Sequence, residues 1–339
     1  DEETGLTGAY QLKKDLLKGD ILINLDSEDE GTFTIGCAGG ADSELSLPVE
    51  RKTRKARNLM QVSLKGLRGG HSGLDINSGR GNAIKLLARL LAEAGSKFKF
   101  ELISFNGGSK RNAIPREAVA VLSVGPGQEK GLSQQLKKSF AAIGFEYRVT
   151  EPEMKLEIKK TADSGWPLAA DSQARLLNLI LVLPHGVISL HPEISGLVET
   201  SSNLAIVETL DKKVKIVCNS RSSIGSALEA VRLVIRSCAA LAEARIAQPD
   251  GYPAWTPDLN SPLLQRMIEI YRHLFGKEPE VKAVHAGLEC GIIGEKYPDL
   301  DMISIGPTIR YPHSPEEKVS LSSVEKFWEL VVETLKLLA

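Results

Sequence analysis

The sequence has 339 residues, 42% of them hydrophobic and 25% charged, enough to bury a large core and to fill two domains. A net charge of −1 and a pI near 6.7, with no basic run and no stacking-aromatic pattern, argue against a nucleic-acid partner and for a small-molecule one. No apolar stretch reaches the ~18 residues of a membrane helix and the start is not signal-like, so no membrane role is expected. Cys37, Cys218, Cys238 and Cys290 are scattered without a CxxC, as expected of reduced thiols in a cytoplasmic enzyme.

Residues 1–31, DEETGLTGAYQLKKDLLKGDILINLDSEDEG, read as the second half of a strand–helix–strand unit. Gly8 to Leu17 places Ala9, Leu12, Leu16 and Leu17 on one helical face and stops before Gly19. Ile21 to Leu25 reads as a buried parallel strand that ends at Asp26. Glu2 and Glu3 then fall where the preceding strand finishes, so three carboxylates share the carboxyl edge of a parallel sheet, the edge at which open α/β sheets bind ligands. The strand that should precede Glu2 is missing and the first residue is Asp in mid-motif. An N-terminally truncated fragment is the expectation.

Thr32 to Leu47 is a glycine-rich exit from this sheet. Beyond it the pattern predicts strand 57–67, helix 81–94, strands 98–106 and 117–124, and helix 131–143, a β-α-β-β-α order. Strand 154–160, helix 168–183, strands 203–210 and 213–219 and helix 225–243 repeat that order, so the segment reads as two lobes of one plan. The Pro- and Gly-rich linker QPDGYPAWTPDLNSP, 248–262, returns the chain to the first domain. There follow helix 262–274, strand 280–285, a helix from about Leu288, strand 301–305 and a loop, GPTIRYPHSPEEKV. The last helix is expected to open on a capping box, Ser322 to Glu325. The resulting fold class is α/β: an αβα domain of residues 1–47 and 250–339, interrupted by a two-lobed α+β lid of residues 48–249.

Adjacent acidic residues at a strand end are commonly just a solvated turn. Here Asp26 ends the neighbouring strand, and His313 follows the last strand in a proline-flanked loop, Tyr311-Pro312-His313-Ser314-Pro315. Oxygen ligands with one imidazole suit Zn²⁺ or Mn²⁺, and a carboxylate beside the metal but not bound to it is a ready general base for metal-bound water.

The runs DEETGLTGA, INLDSEDEG, GLRGGHSGLDINSGRGNA, RNAIPREA, HAGLECGI and RYPHSPEEKVSL resemble the M20 family of co-catalytic zinc peptidases, on its dipeptidase branch, and the resemblance spans the whole chain. It implies a zinc-peptidase-like catalytic domain with a lid, and hydrolysis of dipeptides, Xaa-His among them, with two Zn²⁺ per full site and Mn²⁺ or Co²⁺ as substitutes. Glu2 takes the place of the family's general base, and Glu3, Asp26 and His313 those of metal ligands. The family's His-x-Asp motif and bridging Asp precede the acidic pair and are not in this sequence, so weak metal binding and negligible turnover are expected of this chain by itself. His71, between glycines in Gly69-Gly70-His71-Ser72-Gly73, is similar to the lid histidine that donates to the oxyanion. Asn112 and Arg221 resemble lid residues that hold substrate; a guanidinium grips a terminal carboxylate in bidentate fashion. Gly287 lines the substrate site by the same similarity, its lack of a Cβ letting backbone approach a ligand. His285 and Glu289 carry no assignment. Alternative readings are another M20 deacylase or aminopeptidase, or an inactive fragment that only binds or dimerises through the lid. A homodimer is compatible with the sequence.

Overall fold

The computed structural model describes residues 5–53, 58–162, 165–312 and 314–338. They form two large sheets and two short two-stranded ribbons. The first has four strands in the order Ile21–Asn24, Asp301–Ser304, Thr32–Cys37 and Glu280–Val284. Its outer pairs are parallel, Ile21 opposite Asp301 and Glu280 opposite Thr32, whereas the central contact, Ser304 with Thr34, is antiparallel. The sheet is therefore mixed and not all-parallel. Its core is Phe33, Ile35 and Ile303 against helix Pro262–Phe275 and the C-terminal helix Leu321–Leu338. Among the described residues no helix is long and apolar enough to cross a membrane.

Three local expectations change on this sheet. Strand Ile21–Asn24 is parallel but lies at the edge, with Ile21 and Leu25 exposed and not buried. The helix expected over Gly8 to Leu17 is only Thr7–Gln11. The Lys296 ammonium takes the carbonyls of Ala9 (2.8 Å) and Leu12 (2.9 Å), acceptors that a continuing helix needs for its own N–H groups. The last helix starts one residue before Ser322, with the Val324 amide donating to the Ser320 carbonyl, so Ser322 stands inside the first turn and the capping box does not form.

The second sheet has nine antiparallel strands, eight of them in the order Arg245–Ala247, Gly39–Pro48, Lys213–Ser222, Val198–Thr209, Phe100–Gly107, Ala118–Val124, Asn58–Lys65 and Lys155–Lys160, with Gly186–Leu190 also on Val198–Thr209. Helices Ala83–Gly95, Glu129–Glu146, Ala170–Val182 and Gly225–Leu241 share one continuous core with it. The strand order corrects the lobe reading. Gly39–Pro48 pairs along its whole length with Lys213–Ser222, so the chain leaves the first sheet at Ala38 and the strand belongs to the lid. Lys155–Lys160, expected to open the second lobe, instead flanks Asn58–Lys65 of the first.

One lobe is thus Asn58–Lys65, Ala83–Gly95, Phe100–Gly107, Ala118–Val124, Glu129–Glu146 and Lys155–Lys160. The other is Gly39–Pro48, Ala170–Val182, Val198–Thr209, Lys213–Ser222, Gly225–Leu241 and Arg245–Ala247. Both read β-α-β-β-α-β, and the first is nested in the second between Pro48 and Ala170. The two crossings lie side by side: the Lys52 amide donates to the Pro167 carbonyl (2.9 Å) and the Ala169 amide to that of Glu50 (2.8 Å). Arg51 locks them, its guanidinium donating to the carbonyls of Asp211 (2.7 Å), Ile103 (3.1 Å), Leu210 (2.9 Å) and Trp166. Hydrogen bonds from a charged donor are worth roughly 1.5–3 kcal/mol each. Arg51→Ala should therefore lower lid stability by at least ~2 kcal/mol, read as a lower urea midpoint, and an unchanged midpoint would show that the lobes are held elsewhere.

Candidate active site

His71, Arg221 and His285 come from three parts of the chain and meet where the lid touches the first sheet. Strand Asn58–Lys65 ends in a glycine-rich loop, and Gly70–His71 pairs with Ala113–Ile114. The His71 Nδ1 accepts from the Gly73 amide (3.3 Å) and the Leu74 amide (3.1 Å). With Nδ1 held as an acceptor, the neutral ring carries its proton on Nε2, pointing a donor outward. Burial, and then the Arg221 charge, push the His71 pKa below its usual value, with Asp75 opposing.

Arg221 lies near the end of Lys213–Ser222 in the other lobe and is only 5% exposed. Its Nη1 donates to the Tyr252 hydroxyl (2.6 Å) and its Nε to Ser72 Oγ (3.4 Å). Ser72 donates on to Asn219 (3.3 Å), and Asn219 to Asp42 (2.8 Å). Asp42 also pairs with Arg111 (2.6 Å), whose second nitrogen reaches Glu44 (2.7 Å). This relay fixes the loop of Asn112, whose carbonyl accepts from the Ser72 amide (2.9 Å) while its side chain stays exposed. His71, Asn112 and Arg221 are therefore held by one network that crosses the lobes.

His285, just past strand Glu280–Val284, bonds Ser201 of the lid through Nε2 (2.7 Å), while its Nδ1 is buried without a hydrogen-bond partner in good geometry. Burial, Arg221 and His71 push its pKa down to about 4, a nearby Val198 carbonyl pulling weakly the other way. Beside it the two segments that join the domains run antiparallel, Cys37 opposite Trp255 and Gly40 opposite Tyr252. Two glycines seat the tyrosine. A Cβ on Gly40 would overlap its hydroxyl, and one on Gly287 would lie 2.7 Å from its ring. The close approach that Gly287 permits is thus to Tyr252, where a ligand was expected. Gly73 has the matching role on the lid, since a Cβ there would overlap the His285 carbonyl.

Of the candidates for metal chemistry, only Asp26 is among the described residues. Glu2, Glu3 and His313 lie outside the described residues, and Asp26 is exposed. Among the described residues no group of three His, Cys, Asp or Glu side chains is arranged to hold a metal. Glu289, unassigned from the sequence, accepts from Asn24 (2.5 Å), and Asn24 also donates to Ser304 (3.0 Å), beneath the end of the strand that leads to Asp26. Sequence reasoning missed Tyr252, Ser72, Asn219 and Asp42. Tyr252 sits in what reads as a bare linker, and its only trace was the pair of glycines that admit its ring.

A model of the peptidase dimerisation domain of the M20 family matches residues 62–150, the nested lobe. The cytosol non-specific dipeptidase of Escherichia coli (strain K12) is 41% identical over 336 residues, 99% of this chain and 69% of that protein. The crystal structure of aminoacylhistidine dipeptidase from Vibrio alginolyticus superposes with a TM-score of 0.95 at 39% identity, again over 99% of this chain and 69% of the other.

Two outcomes test this geometry. Gly73→Ala should loosen the lid from the first domain, seen as faster amide exchange around Ser201 and Gly287 with the lid core still protected; unchanged exchange would show that the contact does not dock them. Because the folded pKa of His285 lies below its ordinary 6.5, the neutral-ring contact with Ser201 is fully present above pH 6.5 and is lost as pH falls toward 4. The same exchange measurement should therefore show loosening between pH 6.5 and 4, and His285→Gln should flatten that dependence.

Proposed function

We propose, since the chain belongs to the M20 family of metallopeptidases, that its cleft hydrolyses dipeptides, Xaa-His among them, with Arg221 holding the free carboxylate and His71 donating to the carbonyl oxygen. The observation that carries this reading is the state of Arg221. It is buried, and among the described residues no carboxylate stands within ion-pair distance of it. A buried charge without a counter-ion costs several kcal/mol, ~3–5 by the usual measure of broken pairs. The terminal carboxylate of a peptide would remove that cost.

His71 supplies the second anchor. Its Nε2–H is the free donor of a ring kept neutral by its surroundings, and a donor preorganised toward an oxyanion is worth about two to three orders of magnitude in rate. The His71 ring and the Arg221 stem both flank Gly73, 3.2 and 3.3 Å from the position of a Cβ there, close enough for one residue to span. That spacing favours dipeptides over longer chains. Asn112, on the tethered loop with its side chain exposed, is assigned to substrate binding beside them.

Metal dependence is typical of the family, zinc above all. When bound, the metal supplies an activated water and polarises the scissile carbonyl. Two carboxylates and an imidazole are a donor set that suits Zn²⁺, and we assign Glu3, Asp26 and His313 to it, within a full site of two Zn²⁺ and with Mn²⁺ or Co²⁺ as substitutes. Glu2 is assigned as the base that takes the water's proton and passes it to the leaving amine. Because the nested lobe matches a peptidase dimerisation domain, a homodimer is also proposed. A cytoplasmic setting fits the four free thiols.

The carboxylate assignment is tested by comparing an Xaa-His dipeptide with its C-terminal amide. With the His-x-Asp motif and bridging Asp supplied upstream, the metal-loaded enzyme should prefer the acid by two or more orders of magnitude in kcat/KM, roughly the few kcal/mol of a lost charged hydrogen-bond pair. Arg221→Ala should erase most of that preference. Equal rates for acid and amide on the unaltered enzyme would sink the assignment.

A further inference from the structure

We infer that Tyr252 is the second donor to the substrate's terminal carboxylate, acting beside Arg221 as a specificity-determining residue that reaches the site from the interdomain segment. The inference rests on the dipeptidase reading above and deepens it. The Tyr252 hydroxyl accepts from Arg221 Nη1 at 2.6 Å, which occupies one lone pair and leaves its own proton uncommitted: among the described residues it donates to no acceptor. Arg221 Nη2 likewise has no partner, while Nη1 and Nε are engaged. The two uncommitted donors therefore flank one 2.6 Å contact. Donors on either side of that contact can each take one of the two oxygens of a carboxylate. An amide in that place offers one acceptor and turns N–H groups toward donors.

The phenol is built to keep that proton. Burial raises its pKa above the ordinary 10.0, with the Arg221 charge pulling back only in part, so the hydroxyl remains a donor throughout the physiological range. Its place is fixed by packing. The ring fills the space left by Gly40 on the outgoing segment and Gly287 on the first domain, and its backbone pairs with Gly40 in both directions (3.0 and 2.9 Å). A side chain so confined on three sides pays little entropy to present its hydroxyl. Tyr252 also stands on the segment that ties the domains together, so the carboxylate pocket draws on both lobes and on the connection between the domains.

The test is Tyr252→Phe, which deletes one oxygen and leaves the ring that Gly40 and Gly287 enclose. Ala-His and Ala-His-amide serve as probes, with binding read by calorimetry and turnover by kcat and KM on the metal-loaded enzyme. The variant should bind Ala-His about tenfold to a hundredfold more weakly, the range of one hydrogen bond to a charged group, through KM with kcat little changed. Its handling of Ala-His-amide should match the unaltered enzyme. Equal losses for acid and amide would overturn the inference, because a purely structural role scales both, and no loss for either would overturn it too. The underlying dipeptidase reading fails in a different way: the unaltered enzyme would then show no preference for the acid, or Arg221→Ala would leave that preference intact.

Discussion

A buried guanidinium with no counter-ion among the described residues is the constraint on which this structure turns. Arg221 is 5% exposed, and its protein partners are a hydroxyl from the interdomain segment and a serine of the other lobe, both neutral. Such an arrangement destabilises the chain in isolation, and it persists because rigid elements on all sides over-determine it. Its charge also sets the state of its neighbours. Burial, and after it this charge, lower the pKa of both His71 and His285, so two imidazoles near a cation remain neutral, one keeping an Nε2–H for donation and the other a hydrogen bond to the lid.

The position of Arg221 follows from the nesting of one lobe in the other. Joining Phe100–Gly107 to Val198–Thr209 makes a single sheet of both, and the loops after Asn58–Lys65 and Phe100–Gly107 come to lie over the end of Lys213–Ser222. His71 and Asn112 thus belong to one lobe and Arg221 to the other, with Asp42, on the strand that leaves the first domain, bridging them through Asn219 and Arg111. The relay is polar, buried at Ser72, Asn219 and Arg221 and open to water at Arg111, and in its buried part hydrogen bonds reinforce one another and a missing member is costly.

Much of this was legible in the sequence, and what was not has identifiable causes. Helices with a clean apolar stripe, such as Ala83–Gly95 with Leu86, Leu87, Leu90 and Leu91 buried, were placed to within a residue or two, because burial on one face leaves a 3.6-residue period. His71, Asn112 and Arg221 stand out in the sequence through their resemblance to the family's lid residues, and the structure brings them into one network. Strand partners were not legible. Gly39–Pro48 looked like an exit because its glycines serve close packing against residues more than two hundred positions away, Tyr252 and Ala254. Lys155–Lys160 was assigned to the wrong lobe for the same reason: alternation shows that a strand exists and says nothing of its neighbour. The hydrogen bonds of Lys296 that end the first helix early come from a side chain 284 residues distant from Leu12, which no local propensity encodes.

The internal pairing also bears on how the lid meets other chains. A lobe of this kind standing alone exposes its end strand, an open row of N–H and C=O groups that invites a second copy. Here that edge is taken inside the chain, Phe100–Gly107 meeting Val198–Thr209 with the Asn106 side chain accepting from the Thr209 amide (2.8 Å) and Thr209 from the Phe105 amide (2.8 Å). The outer edges are short or charged instead: three residues in Arg245–Ala247, and Lys155, Glu157, Lys159 and Lys160 in the strand at the other end. Both are features that discourage strand-to-strand association. Within the lid, then, two copies of one plan already complete each other, and Arg221 comes to lie near their junction.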